Sequence, residues 1–283
     1  MSNFGSNLPS LEIQKCTLPT SKAAWMTSQK SAMETIKARG LVLKEYEAGE
    51  SDKRLLLLVK EHGRMIVYAR GARKPKSKFM AAAQLFTYAD YVLTVGRGFH
   101  ALAQAQVIEN FYGLRTDYER LTAAHMVAEV CEKTLLENIP CDDLLLLALR
   151  SLDHLNKPVK SQQSEAKPQY KMPPMQVIGV FFMRFFAYYG LSPEVEVCSV
   201  CGEEVDARAF LCGEGLVCGL HKPGYSVRLS QAGVFALRYI LGSELSKAFL
   251  FNANEDVIME LWAAARMLWR CHFEWTLATE AFL

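Results

Sequence analysis

Short runs of alternating apolar and polar residues, separated by turn-forming residues, occupy the first third of the regular sequence. They predict five β-strands, at 38–46, 54–61, 64–69, 86–95 and 101–110. By composition alone the last run would also suit a helix. Turn residues occur at 49–52, 61–63, 71–78 and 96–98, and the third of these is a long basic loop.

Five short strands within about eighty residues are typical of a small closed barrel of the OB or SH3-like kind. Residues 96–101, Gly-Arg-Gly-Phe-His-Ala, also match the G-x-G-x-x-A pattern of dinucleotide-binding proteins. That pattern follows four predicted strands with no helix between them, so we interpret it as a hairpin turn. The chain has neither a P-loop pattern nor a G-x-S-x-G pattern.

A helical period replaces the alternation after Tyr112. It predicts helices at 121–136, 141–155 and 173–190, a fourth that begins after an N-cap at Ser230 and ends at 242, and a fifth at 255–277. The stretch 156–171 is polar, contains two prolines and is typical of an exposed linker. The apolar stretch 175–191 is interrupted by Arg184, so we interpret it as a buried helix and predict no membrane span.

The composition is that of a globular protein, with 51% hydrophobic and 22% charged residues in a chain of 283. Residues 1–32 lack the basic and apolar regions of a secretory signal. We therefore expect a soluble cytoplasmic protein, in which the eight cysteines are thiols or metal ligands rather than disulfides.

Two cysteine-containing knuckles, Cys198-Ser-Val-Cys201 and Cys218-Gly-Leu-His221, are separated by sixteen residues. Two such pairs can place four ligands at the corners of a tetrahedron, which predicts one structural Zn²⁺ per chain. Buried free thiols would not explain the repeated spacing. Cys212 could replace His221, but its distance from Cys218 fits a knuckle poorly, so we interpret it as non-ligating.

A catalytic zinc is the alternative use of such cysteines, since nucleobase deaminases combine an H-x-E motif with P-C-x-x-C. The H-x-E of this chain, His272-Phe-Glu274, lies downstream of the cysteines, and valine precedes Cys198. We therefore favour a structural site.

Charge is distributed unevenly along the chain. Between Lys37 and Lys78 there are twelve cationic and five acidic residues, a local charge of +7, and the total of +2 leaves −5 for the remainder. This asymmetry favours a polyanionic partner over a merely solvated loop. Glycine and proline are expected to hold the run 70–78 extended along phosphates. The predicted DNA-binding residues are Lys37, Arg39, Arg70, Arg73, Lys74, Lys76 and Lys78.

Several aromatic residues lie among or after these cations and could stack on bases, although most are expected in the core. They are Phe79, Phe86, Tyr88, Tyr91 and Phe99. In a strand, Phe86 and Tyr88 would share one face and Tyr91 would point to the other.

Four features occur in a fixed order. They are a start reading Thr35-Ile-Lys-Ala-Arg-Gly-Leu-Val-Leu, a basic run Gly71-Ala-Arg-Lys, a helix at 121–136, and F-x4-G-x2-C-x2-H from Phe210 to His221 after the C-x2-C pair. In this order and spacing the chain, from Met33 to its end, resembles the bacterial DNA repair protein family RecO.

The resemblance implies an N-terminal OB fold, a mostly helical C-terminal domain with a zinc module, and a recombination mediator that binds single- and double-stranded DNA and anneals complementary strands. It also implies a complex with RecR, contact with the tail of the single-stranded DNA-binding protein, and help in loading RecA. Cys198, Cys201 and Cys218 match the family's zinc ligands directly, whereas His221 stands where many relatives have cysteine. The extension before Met33 departs from the family.

The expected class is thus α+β. Residues 1–32 form a disordered or extraneous extension, 33–112 an OB-fold DNA-binding domain, and 113–283 a helical domain with its zinc module at about 195–224. We expect a nucleoid-associated protein with no catalytic residue. The alternatives are an OB-type RNA or tRNA binder with a structural zinc, an enzyme with a catalytic zinc, and an adaptor that functions through its helical domain.

Overall fold

The computed structural model describes residues 34–96, 99–137, 139–156, 172–205 and 209–282. The predicted extension at 1–32 lies outside these ranges, as does the predicted linker apart from Asn156.

Five strands close into a barrel at the N-terminal end of the described chain. They are β1 (Thr35–Ala48), β2 (Asp52–Val59), β3 (Gly63–Ala69), β4 (Tyr88–Gly96) and β5 (Phe99–Glu109). Their order around the barrel is β1-β2-β3-β5-β4, in which only β3 and β5 are parallel. All five predicted strands are confirmed, including the last one. Gly96 pairs with Phe99, which confirms the hairpin interpretation of the glycine pattern.

Alternation along the strands divides the barrel's apolar residues between two cores. Val42, Leu55 and Leu57 point into the barrel, where they pack with Val67 and Tyr91. The Tyr91 hydroxyl donates a hydrogen bond of 3.0 Å to the Ala82 carbonyl, so this buried polar group is satisfied.

The outward-facing residues of β1 and β2 belong to the second core. Leu41 and Leu43 on β1, and Leu56 and Leu58 on β2, pack with the helical part of the chain. The barrel and the helices therefore share one apolar interface on the outer face of these two strands.

Within the described ranges, five α-helices follow the barrel: α1 (Tyr118–Thr134), α2 (Asp142–Asn156), α3 (Pro174–Tyr188), α4 (Gln231–Gly242) and α5 (Glu255–His272). Short 3-10 helices lie at Tyr112–Thr116 and Ala278–Phe282. Ser230 is the predicted N-cap of α4, where its hydroxyl accepts a hydrogen bond of 3.1 Å from the Gly233 N–H.

The prediction for α3 is confirmed, whereas the prediction for the end of α5 is wrong. Helix α3 is buried along most of its length, as predicted, and its Arg184 donates hydrogen bonds to the carbonyls of Leu241 and Ser243. The predicted helix at 255–277 is five residues too long. It ends at His272 because Phe273 is extended and stacks on Trp269, whose indole N–H donates to the Trp275 carbonyl at 3.0 Å. Among the described helices, none is long and apolar enough to cross a membrane.

A small three-stranded sheet lies between α3 and α4 in the chain. It comprises β6 (Ala209–Leu211), β7 (Leu216–Val217) and β8 (Val227–Leu229), in the order β7-β6-β8. The two cysteine knuckles lie in the loops next to this sheet.

Candidate metal centre and nucleic-acid interface

Four side chains from two separate pairs in the sequence converge beside the small sheet. The ligand atoms of Cys198, Cys201, Cys218 and His221 all lie within 4.8 Å of one another. In the first knuckle the Gly202 N–H donates to the Cys198 carbonyl at 2.8 Å, and in the second the His221 N–H donates to the Cys218 carbonyl at 3.0 Å. Each knuckle is therefore a tight backbone turn that presents two ligands to the same point.

The surroundings of Cys198 favour its thiolate, which is the form that binds metal. Burial raises the pKa of Cys198, but backbone N–H groups at Cys201, Cys218 and Val200 outweigh this effect and lower the pKa to about 6. The Cys218 N–H lies 3.4 Å from the Cys198 sulfur. The Nδ1 atom of His221 lies 3.2 Å from the Cys218 sulfur and 3.8 Å from the Cys198 sulfur. These separations bracket the roughly 3.6 Å expected between sulfur and nitrogen ligands of one tetrahedral zinc.

The remaining candidates for this site lie elsewhere. Cys212 is outside the cluster, and its thiol donates to the Gly215 carbonyl at 3.2 Å. His272 packs its ring against Phe186 at the end of α5, and neither it nor Glu274 belongs to the cluster. Within the described ranges this is the only group of three or more such side chains that could hold a metal. A metal bound here would have four protein ligands and no position left for a substrate.

Hydrogen bonds fix the module to its neighbours. The Ser199 N–H donates to the Leu216 carbonyl at 2.8 Å, which ties the first knuckle to β7. Arg238 on α4 donates to the carbonyls of Val195 and Glu196, both at 2.7 Å. The cluster thus joins two loops, of which the first is attached to a helix of the main core.

Residues 70–78, which we call the basic turn segment, are folded rather than extended. Successive turns connect the Lys74 N–H to the Gly71 carbonyl at 3.1 Å and the Ser77 N–H to the Lys74 carbonyl at 2.9 Å. The prediction of an extended loop is therefore wrong. The Asp52 carboxylate accepts a hydrogen bond of 2.7 Å from the Gly71 N–H, and this bond is the main cause of the lowered pKa of Asp52.

The five cations of this segment differ in their contacts. Arg73 pairs with Glu47 at 3.0 Å and donates to the Gly49 carbonyl, while Lys78 donates to the Ala103 carbonyl at 3.3 Å. Arg70, Lys74 and Lys76 are exposed, and none forms an ion pair with the described part of the chain. Three cations are thus available to an external anion.

Two family models together match nearly all of the chain after Met33. One, described as recombination protein O N terminal, matches residues 33–111, and the other, described as recombination protein O C terminal, matches residues 115–280. A DNA repair protein RecO of Acetivibrio thermocellus is 36% identical over 234 residues, which cover 81% of this chain and 88% of the relative. The chain belongs to the RecO family. A DNA repair protein RecO of Desulforamulus reducens is 28% identical over 257 residues, covering 89% of this chain and 94% of that protein.

The family assignment confirms the resemblance recognised from the residues, and the two matched regions meet at the junction of barrel and helices. Phe111 ends the first region with a left-handed backbone (φ 47°), and the 3-10 helix Tyr112–Thr116 leads into α1.

The two remaining predicted DNA-binding residues of this RecO-family chain, Lys37 and Arg39, lie on another surface of the barrel. Both point outward from β1 into a groove of about 690 Å³. Arg39 forms a two-pronged ion pair with Asp90 on β4, at 2.6 and 2.9 Å. Lys37 is exposed and has no ion pair among the described residues. The seven predicted residues thus form two surfaces rather than one.

Most of the aromatic residues proposed for base stacking belong to the core, as expected. Phe79, Phe86 and Tyr91 are buried, Tyr88 is half-buried, and only Phe99 is exposed. Phe86 precedes β4 with a left-handed backbone (φ 66°), so the expected sharing of a strand face with Tyr88 does not apply.

Further polar residues line the groove beside Lys37 and Arg39. Lys60 at the β2–β3 turn belongs to the cations counted in the sequence, whereas His62 in the same turn and Gln104 and Gln106 on β5 were not predicted. By alternation alone Gln104 and Gln106 would share a face with buried Leu102. The extra residue Ala103 reverses this relation and leaves both glutamines exposed, which the sequence pattern does not indicate.

Proposed function

We propose that this RecO-family protein is a non-enzymatic recombination mediator. In this proposal it binds single- and double-stranded DNA, anneals complementary strands and, together with RecR, helps RecA load onto DNA coated by the single-stranded DNA-binding protein. The observation that carries the proposal is the basic turn segment, where Arg70, Lys74 and Lys76 are exposed and unpaired among the described residues. Family membership supports the repair context.

The proposed mechanism is electrostatic. Lysine and arginine side chains that bind phosphates release the counterions condensed on DNA, so binding is strong at low salt and weakens as salt rises. Cations that contact two strands at once would also screen the repulsion between the phosphates and let bases pair. No bond is made or broken in this step, so no side chain is assigned a catalytic role.

The salt dependence of binding tests the DNA-binding part of the proposal. We expect Lys74→Ala/Lys76→Ala to weaken binding to single-stranded DNA and to reduce the slope of log K against log salt by about 1.4, or about 0.7 for each phosphate that the variant no longer neutralises. Fluorescence anisotropy at several salt concentrations measures both quantities. The matched control is Arg228→Ala/Lys247→Ala, which removes two exposed cations from β8 and from the loop after α4.

An unchanged slope for the basic-turn variant would contradict the proposal, as would an equal reduction in the control. Annealing of two complementary oligonucleotides coated by the single-stranded DNA-binding protein provides the functional measurement, and we expect the same variant to slow it. Competition between DNA and RNA of one sequence separates this function from RNA binding. Preference for RNA would favour the alternative of an OB-type RNA-binding protein.

We further propose that the Cys198–His221 cluster holds one structural Zn²⁺. Three sulfur atoms and one imidazole nitrogen within 4.8 Å are a donor set that suits zinc. When bound, the ion would supply folding energy to the two knuckles. We expect close to one zinc per chain by elemental analysis in the wild type and in Cys212→Ser, and much less zinc in Cys201→Ser. Equal zinc contents in the two variants would refute this ligand assignment.

Partners and location belong to the same proposal. The RecO family suggests RecR and the tail of the single-stranded DNA-binding protein as partners, and a cytoplasmic, nucleoid-associated location. Co-purification with RecR and with a peptide of that tail tests the two contacts directly.

A further inference from the structure

The groove on the outer face of β1, β4 and β5 is lined by charged and polar side chains. Lys37 and Arg39 project from β1, and Gln104 and Gln106 from β5. The register places Lys37 opposite Val92 and Val92 opposite Gln104, while Arg39 is opposite Asp90 and Asp90 opposite Gln106. Two rows of side chains therefore cross three neighbouring strands, each with a cation at one end and an amide at the other.

The groove is connected to the basic turn segment by a distortion of β5. Val92 pairs with Gln104 and Leu93 with Leu102, so Ala103 is an extra residue that bulges from the ladder. The carbonyl of Ala103 accepts the hydrogen bond from Lys78, the last cation of the basic turn segment. One residue further along β5, Gln104 lines the groove. The two surfaces, the basic turn segment and the groove, therefore adjoin each other at β5.

We propose that this groove continues the path of a single DNA strand that enters over the basic turn segment. The path would run from Lys74 and Lys76 past Lys78 to the two glutamines and end at Lys37. This inference rests on the proposed DNA-binding function and extends it to residues outside the cationic run.

The groove is lined by both cations and uncharged amides. A single DNA strand likewise combines charged phosphates with uncharged bases. Lys37 can contact a phosphate, whereas each glutamine amide offers donors and an acceptor to the edge of an unpaired base. Arg39 is held by Asp90 in an exposed ion pair, which is worth little in water, so a phosphate can compete for it.

The carboxylates of Asp90 and Glu61 also line the groove and weigh against an acidic peptide as its ligand. They would repel a run of negative side chains, whereas they can accept hydrogen bonds from the amino groups of bases. A nucleic acid strand therefore fits the lining better than an acidic protein segment does.

Substitution of exposed groove residues tests the path. The probe is a fluorescein-labelled, mixed-sequence DNA oligomer of about 12 nucleotides, within the site sizes of OB folds. We expect Lys37→Ala/Gln104→Ala to bind it roughly tenfold more weakly than the wild type, since two side chains no longer hold the strand. The matched control, Lys247→Ala/Gln231→Ala, removes the same residue types at exposed positions on and after α4 and should bind normally. If the double variant fails to fold, Gln106→Glu replaces it, with Gln231→Glu as control and the same direction of effect.

Wild-type affinity in the groove variant would overturn the inference. Displacement of the oligomer by a polyglutamate peptide, abolished in the groove variant, would also overturn it in favour of an acidic protein ligand. The basic-turn variant Lys74→Ala/Lys76→Ala is measured in parallel. If its affinity falls while that of the groove variant does not, the groove path fails and the proposed function stands; if neither affinity falls, both fail.

Discussion

Two side chains of α1 hold the C-terminal segment of the described chain: the Glu129 carboxylate, and Lys133, which donates to the Thr276 carbonyl at 2.7 Å. Replacement of the carboxylate gives a quantitative test of the structure. Glu129 accepts hydrogen bonds from the Ala278 N–H at 2.8 Å, the Thr279 N–H at 2.9 Å and the Thr279 hydroxyl at 2.7 Å. It also forms an ion pair of 2.9 Å with Lys133 one turn later. Glu129→Gln preserves the size of the side chain, removes its charge and turns an amide donor toward groups that are themselves donors.

The magnitude follows from the pKa of this carboxyl. Burial raises the pKa of Glu129, but the hydrogen bonds from Thr279, Lys133 and Ala278 outweigh burial and bring it from 4.5 to about 2. The difference corresponds to at most about 3 kcal/mol of folding free energy. Solvent screens part of this interaction, so we expect Glu129→Gln to reduce the free energy of unfolding by about 1–2 kcal/mol at pH 7.

Urea unfolding of both proteins from pH 7 to pH 3.5 measures the effect and its sign. Because the pKa is lower in the folded than in the unfolded state, the stabilisation is fully present above pH 4.5 and is lost as the pH falls toward 2. The difference between wild type and variant should therefore be constant near neutrality and shrink below pH 4.5. A difference of zero at pH 7, or one unchanged at pH 3.5, would refute the reasoning. Glu50→Gln, at an exposed site in the β1–β2 turn, is the control.

Three further predictions concern local structure. Gly63 has φ +67°, and a Cβ added there would lie 1.9 Å from the Ile139 carbonyl oxygen. Gly63→Ala should therefore lower the free energy of unfolding in urea by about 3 kcal/mol. Near-normal stability would contradict this contact between barrel and helices. Ser230→Ala removes the N-cap bond to Gly233 and should cost about 1 kcal/mol in the same assay, with unchanged stability arguing against the cap. The Cys131 thiol is fully buried, and burial raises its pKa. Iodoacetamide should therefore not modify it in the folded protein, as measured by peptide mass spectrometry. Rapid labelling would show that the core opens.

The strands and most helices could be predicted because their signals are local. Alternation defines a strand face within a few residues, and turn residues mark its ends. The basic turn segment could not be predicted in the same way, because its folding depends on Asp52, which is distant from Gly71 in sequence and bonded to it only in the closed barrel. The end of α5 depends on the stacking of Trp269 with Phe273. No capping residue in the sequence marks this end, so it could not be predicted.

The two candidate sites also differ in whether their sequence signals are local. The metal cluster was identified by the spacing of each knuckle, since two ligands from one tight turn are adjacent wherever the turn lies. The groove depends on register between strands: Arg39 meets Asp90 across 51 residues, and Gln106 joins them only because β5 lies beside β4. Charge counting therefore found the cations of this surface and missed its amides.

Strand β1 explains how one small barrel can bind its own helices and still leave a face for DNA. Its outward residues Lys37 and Arg39 line the open groove, whereas Leu41 and Leu43, next on the same side, pack against the helices. Val42, which points the other way, is inside the barrel. The change from cation to leucine along one face thus divides the solvent surface from the interface within a few residues. Substitutions at Lys37 and Arg39 should therefore alter the proposed DNA binding without disturbing the apolar contacts that join the two parts of the chain.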